Sequence, residues 1–276
     1  MSKLEKIQHY RFDIIKKVRM ILMKNTTKTL TYSGLMAALT FISTSILSFP
    51  SPFTGGYIHI GDALVLSCGV VLGKKNGALA AGIGSALADI YLGYASWALP
   101  TFIIKALMAY VIGYMFEDLG NFKKTGFITA FYSFLWVGFG FLVRGLIASN
   151  RIVDATQDLI TEEVIANETE LLSTVLSTQN IILAIALLLP LALLIVFGIS
   201  RFKPSIAMHF NKISAFIVAG SVMVILYYGT YGIMYGNWII PVFSIPANMV
   251  QFGFGLTLAT LMLPITLRFQ LSKEQA

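Results

Sequence analysis

Charged residues are scarce in this chain, and cysteine is almost absent. Asp, Glu, Lys and Arg make up 12% of the 276 residues, whereas a soluble domain carries about 25%. Cys68 is the single cysteine, which excludes an intrachain disulfide and a cysteine-rich metal site. Residues 69–75 lack the spacing and the Ser/Thr of a phosphate loop, and there is no HExxH sequence. These absences argue against a soluble enzyme, a disulfide-rich domain and an ATPase.

Apolar sequence is abundant instead, at 57% of the residues. Segments of about 20 apolar residues, the length of a membrane-spanning helix, recur from Thr31 onward, and none shows the alternation typical of a β-barrel strand. The chain is therefore predicted to be an all-α, polytopic transmembrane helical bundle. About eight spans are expected, at residues 31–49, 59–73, 76–94, 99–117, 126–148, 179–199, 213–235 and 246–268.

The distribution of basic residues predicts the orientation of the bundle. Of the 20 Lys and Arg residues, 17 lie before the first span, in every second connection, or at the C-terminal end. This is the positive-inside pattern, so both termini are expected in the cytoplasm, with residues 1–30 as a basic cytoplasmic segment. The net charge of +7 is ascribed to this orientation, and no nucleic-acid partner is expected.

Three ionisable residues fall within the apolar segments near one end. If consecutive spans run antiparallel, Asp62 lies early in the second span, Asp89 late in the third and Lys105 early in the fourth. All three then share one depth near the outer face. Ionisable groups at membrane depth are costly, and they are by default candidates for a functional site. A structural Asp–Lys ion pair is the alternative interpretation.

Aromatic and amide residues are expected at the same outer level. They are Tyr228, Tyr231 and Trp238 around the end of the seventh span, and Asn248 and Gln251 at the start of the eighth. Such aromatic residues often form only an interfacial belt. Together with the charged groups, however, they would provide ring faces and hydrogen-bonding edges for a small polar ligand.

Small residues recur at every fourth position in two spans. The third span has Gly77, Ala81 and Ser85, and this spacing permits close helix packing in lipid. The first span has two such pairs, Ser33/Ala37 and Gly34/Ala38. In the first span, these small residues have two alternative interpretations: packing within the fold, or docking onto another membrane subunit.

Two blocks of this sequence resemble a known family. The first is GGYIHIGDALVLSCGVVLGKKNGALAAGIGSALADIYLGYASWALPTFIIKALM, and the second is GSVMVILYYGTYGIMYGNWIIPVFSIPANMVQFGFG, which contains an IPxNxxQ signature. Together with SGLMAALT in the first span, they are similar to the substrate-binding S components of energy-coupling factor (ECF) vitamin transporters. The similarity is to the riboflavin-type branch, which includes hydroxymethylpyrimidine transporters.

The resemblance implies a six-helix core into which a further pair of helices is inserted. The core would comprise residues 31–118 (helices 1–4) and 211–276 (the last two helices), and residues 119–210 would be an inserted helix pair with an acidic outer loop. It also implies partners: a transmembrane coupling protein and two ATPase subunits. The coupling protein would dock on the small residues of the first helix, which here are Ser33, Gly34, Ala37 and Ala38.

The expected function is the binding subunit of an ATP-driven importer in a prokaryotic-type plasma membrane. Its ligand would be a water-soluble vitamin or precursor of the hydroxymethylpyrimidine, pyridoxine or riboflavin class, with no cofactor, metal or enzymatic activity. The substrate-binding residues are predicted to be Asp62, Asp89, Lys105, Tyr228, Tyr231, Trp238, Asn248 and Gln251. The alternative is a self-sufficient, proton-coupled secondary transporter that relays protons through Asp62 or Asp89. The sequence shows no internal repeat of the kind common in such transporters.

The charge pattern makes a testable prediction about topology. In a Cys68→Ala background, single cysteines at Lys74 and Lys123 should be protected from a membrane-impermeant thiol reagent in intact cells and labelled after permeabilisation, because both positions lie in basic, cytoplasmic connections. A cysteine at Asp158, in the acidic connection, should be labelled from outside. Outside labelling at position 74 or 123 would contradict the eight-span topology.

Overall fold

The computed structural model describes residues 26–50, 57–117, 122–147, 168–200 and 204–272. Most of the predicted basic segment 1–30, part of the first outer loop, and most of the acidic outer loop lie outside these ranges. The described residues form seven helices long and apolar enough to cross a membrane. The prediction of a polytopic all-α bundle is therefore confirmed, while the side of the membrane on which the termini lie stays a prediction.

The helices run in chain order with short connections. They are α1 (Thr26–Ile46), α2 (Asp62–Tyr91), α3 (Ala98–Glu117), α4 (Phe122–Ile147), α5 (Glu168–Ser200), α6 (Pro204–Tyr235) and α7 (Ser244–Ser272). Between α1 and α2, strands β1 (Ser48–Pro50) and β2 (Tyr57–His59) pair antiparallel, with Phe49 opposite Ile58. Single 3-10 turns, Ala95–Trp97 and Ile240–Phe243, precede α3 and α7.

Helix α2 is folded back on itself at Gly73. This glycine has φ 80° and ψ −178°, a backbone conformation that residues with a Cβ atom rarely adopt. A Cβ atom added to Gly77 would lie 2.9 Å from Gly69 Cα, although residues eight apart in a straight helix are about 12 Å apart along its axis. The predicted second and third spans are therefore two arms, residues 62–72 and 74–91. The first arm is about 16 Å long, which is shorter than a full span.

Glycines allow α3 to pack closely against this reversal. A Cβ atom on Gly69 would lie 2.8 Å from Ile112 Cβ, and one on Gly113 would lie 2.7 Å from the Gly73 carbonyl carbon. Real Cβ atoms do not approach other atoms so closely, so each of these contacts is possible only because the residue is glycine. The packing places the start of α3 beside both ends of α2.

Helix α1 packs on the second arm of α2. A Cβ atom on Gly84 would lie 2.8 Å from Thr40 Cβ, and the Thr40 hydroxyl lies 3.6 Å from the Cys68 sulfur. Cys68 is thus a buried packing residue. On the other side of α1, nothing lies within 4 Å of a methyl group added to Gly34, and Ala38 is exposed. The small residues of α1 consequently divide between an inner and an outer face.

Helices α4 and α5 pack against each other and against α6. Gly126 lies beneath the Phe197 ring, and Gly140 lies against Ala186. Tyr132 on α4 donates a hydrogen bond to Ser221 on α6. This pair of helices, which the resemblance stated above predicts as an insertion, thus joins the bundle through α6.

The reversal of α2 generates a prediction about stability. Gly77→Ala should lower the melting temperature of the protein in detergent, because the added methyl group meets the Cys68 backbone, and such overpacking costs about 1–3 kcal/mol. Gly138→Ala in α4 is the matched control, because nothing lies within 4 Å of its added methyl group. That control should be neutral or stabilising, since alanine favours a helix over glycine by about 1 kcal/mol.

Equal melting temperatures for the two variants would contradict the close contact between the arms of α2.

Candidate functional site

One cavity lies at the end of the bundle that carries the strand pair. The space inside it and at its open mouth amounts to about 650 Å³. Strand β2, the end of α2, the turn before α3, and helices α3, α6 and α7 all contribute to it. The lining residues are Tyr57, Ile58, His59, Asp89, Tyr94, Trp97, Thr101, Tyr227, Tyr231, Ser244, Asn248 and Gln251.

A buried ion pair lies beside this cavity, at the start of α2. Lys105 Nζ lies 2.5 Å from Asp62 Oδ1, and both side chains are 0% exposed. Gln251 donates from Nε2 to the other oxygen of Asp62 over 2.8 Å. The Lys105 ammonium also lies 3.2 Å from the Met223 sulfur and 5.3 Å from the centroid of the Tyr227 ring. Each charge is thus compensated inside the protein, which buried charges require.

His59 lies between this ion pair and the cavity. Its Nδ1 atom accepts a hydrogen bond from the Gly61 backbone N–H over 3.1 Å. The proton of the neutral ring is therefore on Nε2. Burial lowers the pKa of His59 to about 4, so the ring is neutral at physiological pH.

The orientation of the Gln251 amide follows from two contacts. The His59 backbone N–H donates to Gln251 Oε1 over 3.2 Å, so Nε2 is the atom that faces Asp62. Gln251 Nε2 also lies 3.4 Å from His59 Nε2. Both nitrogens carry protons, so this contact is not a hydrogen bond. The His59 Nε2–H group is therefore left without an acceptor among the described residues, and His59 is one of the residues that line the cavity.

Asp89 has one satisfied and one unsatisfied oxygen. Oδ1 accepts a hydrogen bond from the Tyr57 hydroxyl. Burial, reinforced by the Asp89 carboxylate, raises the pKa of Tyr57, so the phenol keeps its proton and remains a donor. Oδ2 is buried and has no hydrogen-bond partner among the described residues. The Thr101 hydroxyl interacts with the Asp89 carboxylate and also shares a hydrogen bond of 3.2 Å with the Tyr227 hydroxyl. An unsatisfied buried acceptor is uncommon and calls for an explanation.

Aromatic rings form much of the remaining wall. The rings of Tyr57 and Tyr94 are 5.0 Å apart, and Trp97 lies 6.1 Å from Tyr227 and 5.9 Å from Tyr231. These rings offer flat, apolar faces to a ligand, while polar groups on the same wall offer hydrogen bonds to its edges.

This site belongs to a chain with a clear family match. The family model described as ECF-type riboflavin transporter, S component, matches residues 24–196, which is more than half of the 276 residues. The chain belongs to this S-component family. It is accordingly a multi-pass protein of the plasma membrane.

Relatives add less information about this S component. An uncharacterised protein in the gap 3′ region of Pyrococcus woesei is 36% identical over 83 residues, which are 30% of this chain and 55% of the relative. The chain thus spans about half the length of this curated relative. No solved structure matches. The family match includes most of residues 119–210 and ends before α6, and the limits of the predicted insertion stay a prediction.

The structure brings four of the predicted substrate-binding residues to the cavity wall. These are Asp89, Tyr231, Asn248 and Gln251. Asp62 and Lys105 meet as expected from their shared depth, but they bind each other and Gln251 rather than lining the cavity. The structural ion pair that the sequence left as an alternative is therefore present.

Tyr228 and Trp238 do not line the cavity. The Tyr228 hydroxyl donates to the Trp238 carbonyl over 3.0 Å, and its ring lies 5.4 Å from Phe139 on α4. One residue along a helix rotates the side chain by about 100°, so Tyr228 faces α4 while Tyr227 faces the cavity.

Sequence reasoning missed several lining residues. They are Tyr57, Ile58, His59, Tyr94, Trp97, Thr101, Tyr227 and Ser244. Two signals could have found some of them: Tyr57 and His59 are two apart in an extended segment and share a face, and Tyr227 and Tyr231 are four apart on a helix. No sequence pattern marks Trp97 or Thr101.

The buried ion pair generates a prediction. Lys105→Met should lower the free energy of unfolding in nanodiscs by about 3–5 kcal/mol, because it leaves the Asp62 carboxylate buried without its partner. The double variant Asp62→Leu/Lys105→Met should recover most of this loss. Lys74→Met is the control: it removes an ion pair to Glu117 at 2.8 Å whose partners are 33% and 31% exposed, and it should cost at most about 1 kcal/mol.

The single variant Asp62→Leu completes the comparison. If the double variant loses as much free energy of unfolding as Asp62→Leu and Lys105→Met lose when added together, the two groups are not coupled.

Proposed function

We propose that this S component binds a water-soluble vitamin or vitamin precursor and delivers it to an ATP-driven ECF importer. The ligand class is a heteroaromatic molecule of the hydroxymethylpyrimidine, pyridoxine or riboflavin type. The observation that carries the proposal is the aromatic cavity with its few convergent polar groups. A largely apolar pocket with a small number of placed hydrogen-bonding groups is the usual form of a small-molecule site.

The cavity composition supports a ring-shaped ligand. Aromatic faces, on which a planar ring packs in offset or edge-to-face arrangements, come from Tyr57, Tyr94, Trp97, Tyr227 and Tyr231. Polar groups at Asp89, His59 and Asn248 bind the edge of such a ring.

The energy for transport comes from partner subunits in this proposal. The sequence contains no phosphate-binding loop, and the family implies association with the components of an ECF module. We assign these components as a transmembrane coupling protein and two ATPases. The S component itself then binds ligand and changes its position when the module hydrolyses ATP.

The outer face of α1 is the proposed docking surface for the coupling protein. Gly34 and Ala38 lie on it, next to the exposed side chains of Leu35 and Leu39. Ala37, by contrast, packs against α2 within the fold. Of the four residues that the family resemblance suggests, Gly34 and Ala38 are therefore the ones that a partner helix could approach closely.

Reconstitution tests this assignment. The S component alone in proteoliposomes should bind ligand and neither hydrolyse ATP nor accumulate ligand, whereas addition of the coupling protein and ATPases should produce ATP-dependent uptake. Ala38→Trp should abolish uptake and co-purification with the coupling protein while leaving ligand affinity unchanged, because the bulky side chain prevents close helix approach. Ala130→Trp, at an exposed position of α4, is the matched control and should preserve uptake.

Accumulation by the lone S component under a proton gradient would instead support a secondary transporter. Loss of ligand binding in Ala38→Trp would show that this face serves the fold and not a partner.

A further inference from the structure

The unsatisfied oxygen of Asp89 limits what the cavity can bind. Asp89 is 3% exposed, and its Oδ2 has no hydrogen-bond partner among the described residues. The same residue lines the cavity. A buried acceptor without a partner is unfavourable until something donates to it. A ligand that carries an N–H or O–H group at this point would remove that cost.

The described residues of the cavity wall offer no cation to balance a negatively charged ligand. None of the described residues that line the cavity is a lysine or arginine. Lys105 is the nearest candidate, but its ammonium is held 2.5 Å from Asp62 and is completely buried. His59 is neutral because its Nδ1 atom accepts the Gly61 N–H. A phosphate or carboxylate on the ligand would meet the Asp89 carboxylate without a compensating charge.

His59 and Asn248 complete the hydrogen-bonding pattern. The Nε2–H group of His59 is a donor and requires an acceptor on the ligand. The Asn248 amide lines the cavity, and it can both donate and accept. The wall therefore presents one acceptor at Asp89, one donor at His59 and one group of either kind at Asn248.

We propose that the cavity binds a non-anionic nitrogen heteroaromatic whose amino group or protonated ring nitrogen donates to Asp89 Oδ2, and that it rejects phosphorylated and carboxylated forms. An acceptor on the same ring, such as an adjacent ring nitrogen, receives the His59 Nε2–H. An aminopyrimidine carries both groups side by side. The aromatic cage also favours a cationic ring through cation–π attraction. This inference rests on the proposed function and narrows its ligand class.

Matched pairs of ligands test the charge selectivity. Calorimetry on the S component in nanodiscs would compare 4-amino-5-hydroxymethyl-2-methylpyrimidine with its monophosphate, pyridoxamine with pyridoxamine 5′-phosphate, and riboflavin with its 5′-phosphate. At least one unphosphorylated amine should bind, and its phosphate should bind at least about tenfold more weakly, the loss expected when a buried charge lacks a partner. The analogue of the pyrimidine with hydrogen in place of the 4-amino group, which has no N–H donor on its ring, should also bind at least about tenfold more weakly.

Asp89→Asn tests the residue itself. The substitution keeps the shape of the side chain but halves its acceptor capacity and removes its charge. Affinity for the amine should fall by about tenfold or more, and the ratio of amine to phosphate affinity should shrink. Glu117→Gln, in the ion pair with Lys74, is the control and should leave both affinities unchanged.

The ratio of amine affinity to phosphate affinity distinguishes a role of Asp89 in ligand recognition from a purely structural role. If Asp89 only anchors Tyr57, then Asp89→Asn and Tyr57→Phe will both lower the melting temperature but leave the amine-to-phosphate ratio unchanged, and the proposal is overturned. It is also overturned if phosphorylated forms bind the parent protein as tightly as the amines, or if none of the unphosphorylated amines binds. Co-purification with the coupling protein, scored separately, would in these cases still support the proposed function.

Discussion

The buried ion pair between Asp62 and Lys105 is the interaction on which the site depends. It joins the start of α2 to α3, and the Gln251 amide ties α7 to the same carboxylate. At membrane depth neither charge can be left alone, because an uncompensated ion there costs several kcal/mol. The three helices are thus held in one relative position at the level of the cavity.

This arrangement is possible only because α2 reverses at Gly73. Without the reversal, the ends of a 30-residue helix would lie about 45 Å apart, and Asp62 and Asp89 could not approach one cavity. Glycines at positions 69, 77 and 113 let the two arms and α3 pack with backbones nearly in contact. The small residues therefore do more than fill space: they bring both ends of α2 to the level of the cavity.

The polar groups of the bundle fall into two sets that differ in hydrogen bonding. The set around the ion pair, formed by Asp62, Lys105 and Gln251, satisfies itself. The set in the cavity wall, formed by Asp89, His59 and Asn248, retains hydrogen-bonding capacity for a ligand. A fully satisfied buried network makes the fold rigid, whereas a partly satisfied one carries a cost, which a ligand would remove under the proposed function. This difference supports Asp89, rather than Asp62, as the residue that binds the ligand directly.

Much of this molecule follows from its sequence alone. Hydrophobic length and the scarcity of charge are enough to predict a helical membrane bundle, because no other fold places so many long apolar segments in a stable environment. The three ionisable residues could be assigned one depth, since antiparallel spans of similar length bring alternate ends together. Only the tertiary structure decided which of these groups line the cavity. Tyr227 and Tyr228 have the same side chain and adjacent positions, yet one lines the cavity and the other packs on α4, because the rotation of α6 is determined by its neighbours. Local sequence determines the periodicity of each helix. Which face of the helix turns toward the cavity is determined by contacts between residues far apart in the chain.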